Sequence, residues 1–294
     1  VADAGGTAES VQAWAKKNGI CLREAADASN LAEWKDQSIV LCTLSENKGI
    51  SANTNAGIEL AAGDAVGLLD HDDLLTANAL WEMADCLEKE KKRGKQKLVL
   101  FSDEDKCDGA ASRFYEPNFK PDFDGELLLT NNYICHFTVI ETVFLKELKL
   151  RSGFDGAQDY DLVLRAYAAG GQFVHVPKVL YHWRCHEAST ASNPQSKRYA
   201  YEAGQRALED YCLRKGWKAT VSGLKHLGFY REDYEDSVFC QRPEIGIWAK
   251  PLPGGRDIFG IRHPKGFLVS GLYENDGLMR YAGLRKGYSG PMHR

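Results

Sequence analysis

The sequence predicts an α/β fold: a mostly parallel sheet flanked by helices over residues 1–221, then a β-rich segment over residues 222–294. Three observations carry that expectation. SIVLCTL (38–44), AVGLLD (65–70), KLVLFSD (97–103) and QFVHVPKVLYHW (172–183) are short apolar runs of the kind that form buried strands. Stretches of helical period separate them, and strands alternating with helices imply a parallel sheet covered on both faces. Past about residue 222 the helical period stops, and Gly, Tyr and Trp recur in short runs such as EIGIWAKPLPGG and DIFGIRHPKG.

The helices follow in order. One spans 52–62 and stops at Gly63, and Thr76 is the expected N-cap of a second through ANALWEMADCLEKEKK. A third lies in QDYDLVLRAYAAGG, closed by Gly170 and Gly171, and a fourth in SKRYAYEAGQRALEDYCLRKG. Asn275-Asp276-Gly277 between two apolar runs signals a hairpin. With 294 residues, 44% of them hydrophobic, the chain can bury a full core. A net charge of −4 gives no basic footprint for nucleic acid, and no window approaches the roughly 18 apolar residues of a membrane span. Eight cysteines without a C-x-x-C pair suit reduced thiols and a cytoplasmic location.

The stretch GLLDHDD, residues 67–73, places three carboxylates at the carboxyl end of a strand, where α/β sheets bind ligands. On an extended strand end Asp70 and Asp72 share a face and His71 points the other way. Two carboxylates about 4 Å apart repel by roughly 1 kcal/mol in water and by more in a drier cleft. A divalent cation resolves the conflict, and Mg²⁺ or Mn²⁺ is held by one or two carboxylates completed by substrate phosphates. A loop whose acids favour the next helix N-terminus is the plain alternative.

Further motifs follow in order: NKGISANTNAGIELAAGDAVGLLDHDDLLTANAL, FSDEDK, NFKPDF, GAQDYDLVLRAY and HVPKVLYHWRCHEAST. Together they resemble the inverting glycosyltransferases of family 2, with the GT-A, Rossmann-like fold, and most closely the bacterial members that build surface polysaccharides. The resemblance implies that Asp72 is a direct metal ligand, that Asp70 contacts the donor ribose or the metal through water, and that Asp73 is structural. It makes Asp159 the catalytic base, with Gln158 where the family commonly has Glu. Arg184 and Ser189 become phosphate ligands, and His186 a metal or diphosphate ligand, with His182 as runner-up. Asp103, Asp105 and Trp183 become candidate donor or acceptor contacts, and Asp3 a contact to the base or ribose. His71 is expected to pack or hydrogen-bond away from the carboxylates.

The implied reaction is transfer of a sugar from a nucleotide-diphosphate donor to a saccharide or lipid-linked saccharide, with Mn²⁺ or Mg²⁺, in the cytoplasm or at the inner face of the cell membrane. A nucleotidyltransferase and a non-catalytic saccharide-binding module are the alternatives. VADAGGT resembles the end of the family's second strand, so the chain is expected to be a fragment lacking the first.

Overall fold

The computed structural model describes residues 7–19, 22–25, 39–185 and 198–235, together with the strand segments 246–251, 257–262, 268–273 and 279–281. The chain divides into two units: Val1–Lys215 with Val221–Glu232, and Gly216–Thr220 with Asp233–Arg294. Asp3 and the VADAGGT stretch before Thr7 lie outside the described residues.

In the first unit α1 (Thr7–Lys17) leads to β1 (Leu22–Ala25), which pairs in parallel with β2 (Ile39–Cys42). There follow α2 (Ile50–Leu60), β3 (Ala65–Leu68), β4 (Leu74–Leu75), α3 (Ala79–Lys92), β5 (Leu98–Cys107) and β6 (Phe114–Asn118). The order continues with α4 (Gly125–Thr130), β7 (Thr138–Glu141), α5 (Thr142–Leu148), α6 (Gln158–Ala168), β8 (Gln172–Arg184) and α7 (Arg198–Arg214). A six-stranded sheet runs β3-β7-β5-β8-β4, with β6 on β5.

The α/β class is as expected, but the pairing within this sheet is not mostly parallel. β5–β8 is its parallel pair, while β3–β7, β7–β5, β8–β4 and β5–β6 are antiparallel. The apolar runs behave as expected, since β3, β5 and β8 point one way. The difference comes from β7, four residues long with Thr138 and Glu141 at its ends, which inserts between β3 and β5 in the opposite sense. Nothing in TVIE has the length or apolar character that marks a strand in the sequence.

Leu98, Val99, Leu100 and Phe101 of β5 are all fully buried because helices cover both faces. On one side Ala79, Met83 and Leu87 of α3 pack with Leu98 and Leu100; on the other Ile58, Phe144, Leu145, Leu162 and Ala166 pack with Val99 and Ile140. The ten residues of β5 run beside thirteen of β8; two extra residues bulge at Pro177–Lys178, where proline has no N–H for the ladder, and a third at Leu180.

Local chemistry moves two helix starts from their expected places. α2 begins earlier, at Ile50, because the Asp155 carboxylate accepts from both the Ser51 N–H (3.3 Å) and its hydroxyl (2.5 Å). Gly49 precedes it at φ 92°, where a Cβ would lie 2.6 Å from Asp155. α3 begins at Ala79 rather than directly after Thr76, whose hydroxyl donates to Asn78 Oδ1 at 2.9 Å.

β9 (Ala219–Gly223) and β10 (Tyr230–Tyr234) pair where the chain divides. In the second unit β11 (Gly246–Pro251), β12 (Asp257–Arg262), β13 (Leu268–Tyr273) and β14 (Met279–Tyr281) form an antiparallel meander. The strands flanking Asn275–Gly277 pair with each other, Tyr273 opposite Met279. No helix among the described residues is long and apolar enough to cross a membrane.

Asp161, at 1% exposure, joins α6 to its surroundings. It accepts from both Nε (3.1 Å) and Nη2 of Arg151 and from Arg165 Nε at 2.9 Å, and Arg151 also reaches Asp210 of α7 at 2.6 Å. Removing one partner of a buried ion pair leaves the others uncompensated, so Asp161→Ala is expected to cost about 3–5 kcal/mol. Urea denaturation measures it, and a loss below about 1 kcal/mol would show the cluster to be solvated.

Candidate active site

The acidic stretch 70–73 is a tight turn rather than an extended strand end. β3 stops at Leu68, and the Asp73 N–H closes on the Asp70 carbonyl at 3.1 Å. The alternation expected of Asp70, His71 and Asp72 is therefore lost: His71 is 94% exposed and its Nδ1 lies 3.9 Å from Asp72 Oδ1, on the side of the carboxylates. Asp73 is buried, accepting from the Tyr181 hydroxyl and, at 2.8 Å, from the Arg184 N–H. Burial raises its pKa, against the opposing effect of those two donors. The turn thus spends its third acid on the scaffold and keeps Asp70 exposed and Asp72 half-buried.

Arg184 braces the same turn from β8. Its Nε donates to the Asp72 carbonyl at 2.6 Å and its Nη1 to the Gly109 carbonyl at 2.8 Å, so two of the donors expected to meet phosphate are used on backbone. His186 and Ser189 lie outside the described residues.

A cleft of about 120 Å³ opens beside the turn. Leu68, Leu69 and Asp70 line it together with Gln158 and Asp159 at the start of α6 and with Cys135, His136 and Thr138. Asp70 and Asp159 therefore face one space although 89 positions separate them. Asn132 Nδ2 donates to Asp159 Oδ2 at 2.9 Å.

Cys135 and His136 were not expected from the sequence. His136 is three-quarters buried, stacked on Tyr181 at 4.9 Å, with Nε2 3.8 Å from Asp70 and its N–H donating to Glu104 Oε2 at 2.7 Å. Behind it lies Lys120, whose side chain is 1% exposed and whose Nζ donates to the carbonyls of Ile134 (2.9 Å) and His136. Glu104 lies in FSDEDK and Lys120 in NFKPDF, and the sequence carries no mark that the two meet.

Asp103 departs from the expected donor or acceptor contact. It is 3% exposed and accepts from the Lys120 N–H (2.9 Å) and pairs with His175 Nε2 (2.8 Å), so protein donors occupy it. The physical reason is its phase on β5, which turns it inward. Asp105 pairs with His182 at 2.5 Å, which engages the runner-up ligand too. Trp183 is half-buried, packing on the core with its ring 6.0 Å from His136.

Residues 23–148 match the model of glycosyl transferase family 2. An uncharacterised protein of Sinorhizobium fredii is 38% identical over 176 residues, 59% of this chain and 19% of its own length. The O-antigen biosynthesis protein RfbC of Myxococcus xanthus is 35% identical over 202 residues, 68% of this chain and 15% of its own. The amylovoran biosynthesis glycosyltransferase AmsB of Erwinia amylovora is 30% identical over 174 residues, 54% of this chain and 57% of its own. The family match, together with an α/β domain whose cleft is lined by both Asp70 and Asp159, defines the glycosyltransferase class. The chain carries a domain of glycosyltransferase family 2 over residues 23–148. It spans less than two thirds of the length of these relatives.

The Glu104–His136 pair makes stability depend on pH. Burial pushes the Glu104 carboxyl up, but the His136 hydrogen bond and the Lys120 charge more than offset it, leaving it below its ordinary 4.5. Burial pulls His136 down, yet the Glu104 bond and the charges of Glu104, Asp159 and Asp70 leave it above 6.5. Glu104 therefore contributes stability above about pH 4.5 that is lost as pH falls through its lowered value, and His136 contributes below about pH 6.5 until pH rises through its raised one. Glu104→Gln is expected to cost about 3 kcal/mol between those limits and progressively less in acid. Urea melts across pH measure it; a deficit that does not change with pH would exclude the ion pair as its cause.

Proposed function

We propose that this domain transfers a sugar, with inversion, from a nucleotide-diphosphate donor to a saccharide or lipid-linked saccharide hydroxyl, assisted by Mn²⁺ or Mg²⁺, during synthesis of a bacterial surface polysaccharide. The observation that carries the reading is that Asp70 and Asp159 line one and the same cleft. Inversion needs a base beside the attacking hydroxyl and a leaving group on the opposite face of the sugar, and two separated carboxylate positions supply both. The names of the Myxococcus and Erwinia relatives support a surface polysaccharide as product.

Asp159 takes the acceptor hydroxyl proton as that oxygen bonds to the anomeric carbon and the bond to the diphosphate breaks. Asp70 and Asp72 suit a divalent cation: both are carboxylates on one turn, and neither is buried as Asp73 is. Such a cation would take its remaining ligands from the donor phosphates. When bound, such a cation neutralises charge developing on the departing diphosphate. Arg184 keeps the turn in place through the Asp72 carbonyl.

Two measurements test this reading. Mn²⁺ with UDP, GDP or dTDP is expected to raise the melting temperature of the protein, since a ligand of the native state stabilises it by mass action, and Asp72→Asn to abolish the shift. A shift retained in that variant would remove Asp72 from the metal site. Asp159→Asn is expected to leave nucleotide affinity intact and lower sugar transfer by roughly 10² to 10⁴, the range for a lost general base. Transfer within about threefold of the parent would place the base elsewhere.

A further inference from the structure

Asp159 and Asp161 stand two residues apart in the first turn of α6 and are held in opposite ways. Asp161 is buried and its charge is paired by the guanidinium groups of Arg151 and Arg165. Asp159 is half-buried at the cleft and receives a neutral donor, the Asn132 amide at 2.9 Å. A neutral donor fixes the direction of a carboxylate without pairing its charge; a guanidinium does both.

Asn132 carries a second sign of this arrangement. Its Oδ1 is buried and has no hydrogen-bond partner among the described residues. Leaving a buried amide oxygen unpaired is unfavourable, so the side chain gains nothing there from the oxygen. Turning the amide over would set that oxygen against the Asp159 carboxylate, so the carboxylate dictates which way the amide faces. Asn132 is itself held in place: it follows α4, and the Tyr160 hydroxyl of α6 donates to the Leu128 carbonyl of α4 at 2.6 Å.

We propose that Asn132 is a positioning residue for the Asp159 base, its amide fixing the rotation of that carboxylate toward the cleft while no salt bridge among the described residues neutralises it. The inference rests on Asp159 being the base. Asn132 acts through Asp159 and touches neither donor nor acceptor.

The test uses the complete protein with Mn²⁺, reading nucleoside diphosphate released from UDP-, GDP- and dTDP-sugars. Asn132→Ala is expected to lower kcat by about 10- to 100-fold with the donor KM within about twofold, the pattern of a group that serves the transition state. In an Asp159→Asn background the same substitution is expected to change nothing further, because there is no base left to orient. Asn132→Asp, of the same shape, is expected to move the acidic limb of kcat upward by about one pH unit or more, since two carboxylates then share a site also faced by Cys135, His136 and Tyr230. That profile decides the matter if Asn132→Ala loses its cooperative melt. An equal loss in both backgrounds, or a rise in KM at unchanged kcat, would mean a structural role and overturn the proposal. Full activity of Asn132→Ala beside an inactive Asp159→Asn overturns the proposal and leaves the base in place. An Asp159→Asn enzyme within about threefold of the parent overturns both.

Discussion

The ammonium group of Lys120 lies inside the protein, and the cleft is built around the need to satisfy it. Burial of a charge costs several kcal/mol unless partners replace the water it loses, and the same burial lowers the pKa of this lysine. Its partners are the carbonyls of Ile134 and His136, with Glu104 at 3.9 Å. Drawing those carbonyls inward fixes the segment before β7, which carries Cys135 and His136 to the cleft and Asn132 to Asp159. The Lys120 backbone contributes as well, since its N–H holds Asp103, which in turn holds His175 beneath Phe101. A scaffold residue thus places side chains of the cleft without lining it itself.

The acids divide along the same line. In each short motif one carboxylate is spent on structure and a neighbour is left toward the cleft: Asp73 against Asp70, and Asp161 against Asp159. The structural member is buried and holds several donors, which is why its neighbour can remain accessible on backbone that does not move away. Arg184 closes this arrangement from β8 by hydrogen-bonding the turn through main-chain carbonyls, a contact insensitive to which side chains the turn carries.

Much of this was legible in the sequence, because apolar runs and helical period report burial directly. β3, β5, β8 and the helices α2, α3, α6 and α7 were read close to their places, and the motif at 70–73 was read as a site at a strand end. What was not legible depends on contacts between distant positions. β7 is too short and too polar at its ends to announce itself. The turn at 70–73 closes on its own Asp73–Asp70 backbone bond and is held there by Tyr181 and Arg184, more than a hundred residues away. Lys120 looks like any surface lysine, since Pro121 beside it reports backbone shape and says nothing of burial. Asn132 and His136 sit in NNYICH, a stretch with no period to interpret, and their roles arise from Asp159 and Glu104.

The extra residue at Leu180 has a consequence in parity. Along a strand, neighbouring side chains project to opposite sides; the two residues added at Pro177–Lys178 leave that alternation intact, and the single one at Leu180 exchanges the two sides. Up to that point the even-numbered Val174, Val176 and Leu180 meet the helix α3 cluster, and after it the odd-numbered Tyr181 and Trp183 do. That exchange directs Tyr181 to Asp73 and His136 while His182 turns to Asp105. Lengthening or shortening the stretch by one residue would reverse the assignment for the whole remainder of the strand. The count of residues between Val176 and Tyr181 therefore matters to the site, as does the apolar character of Leu180 among them.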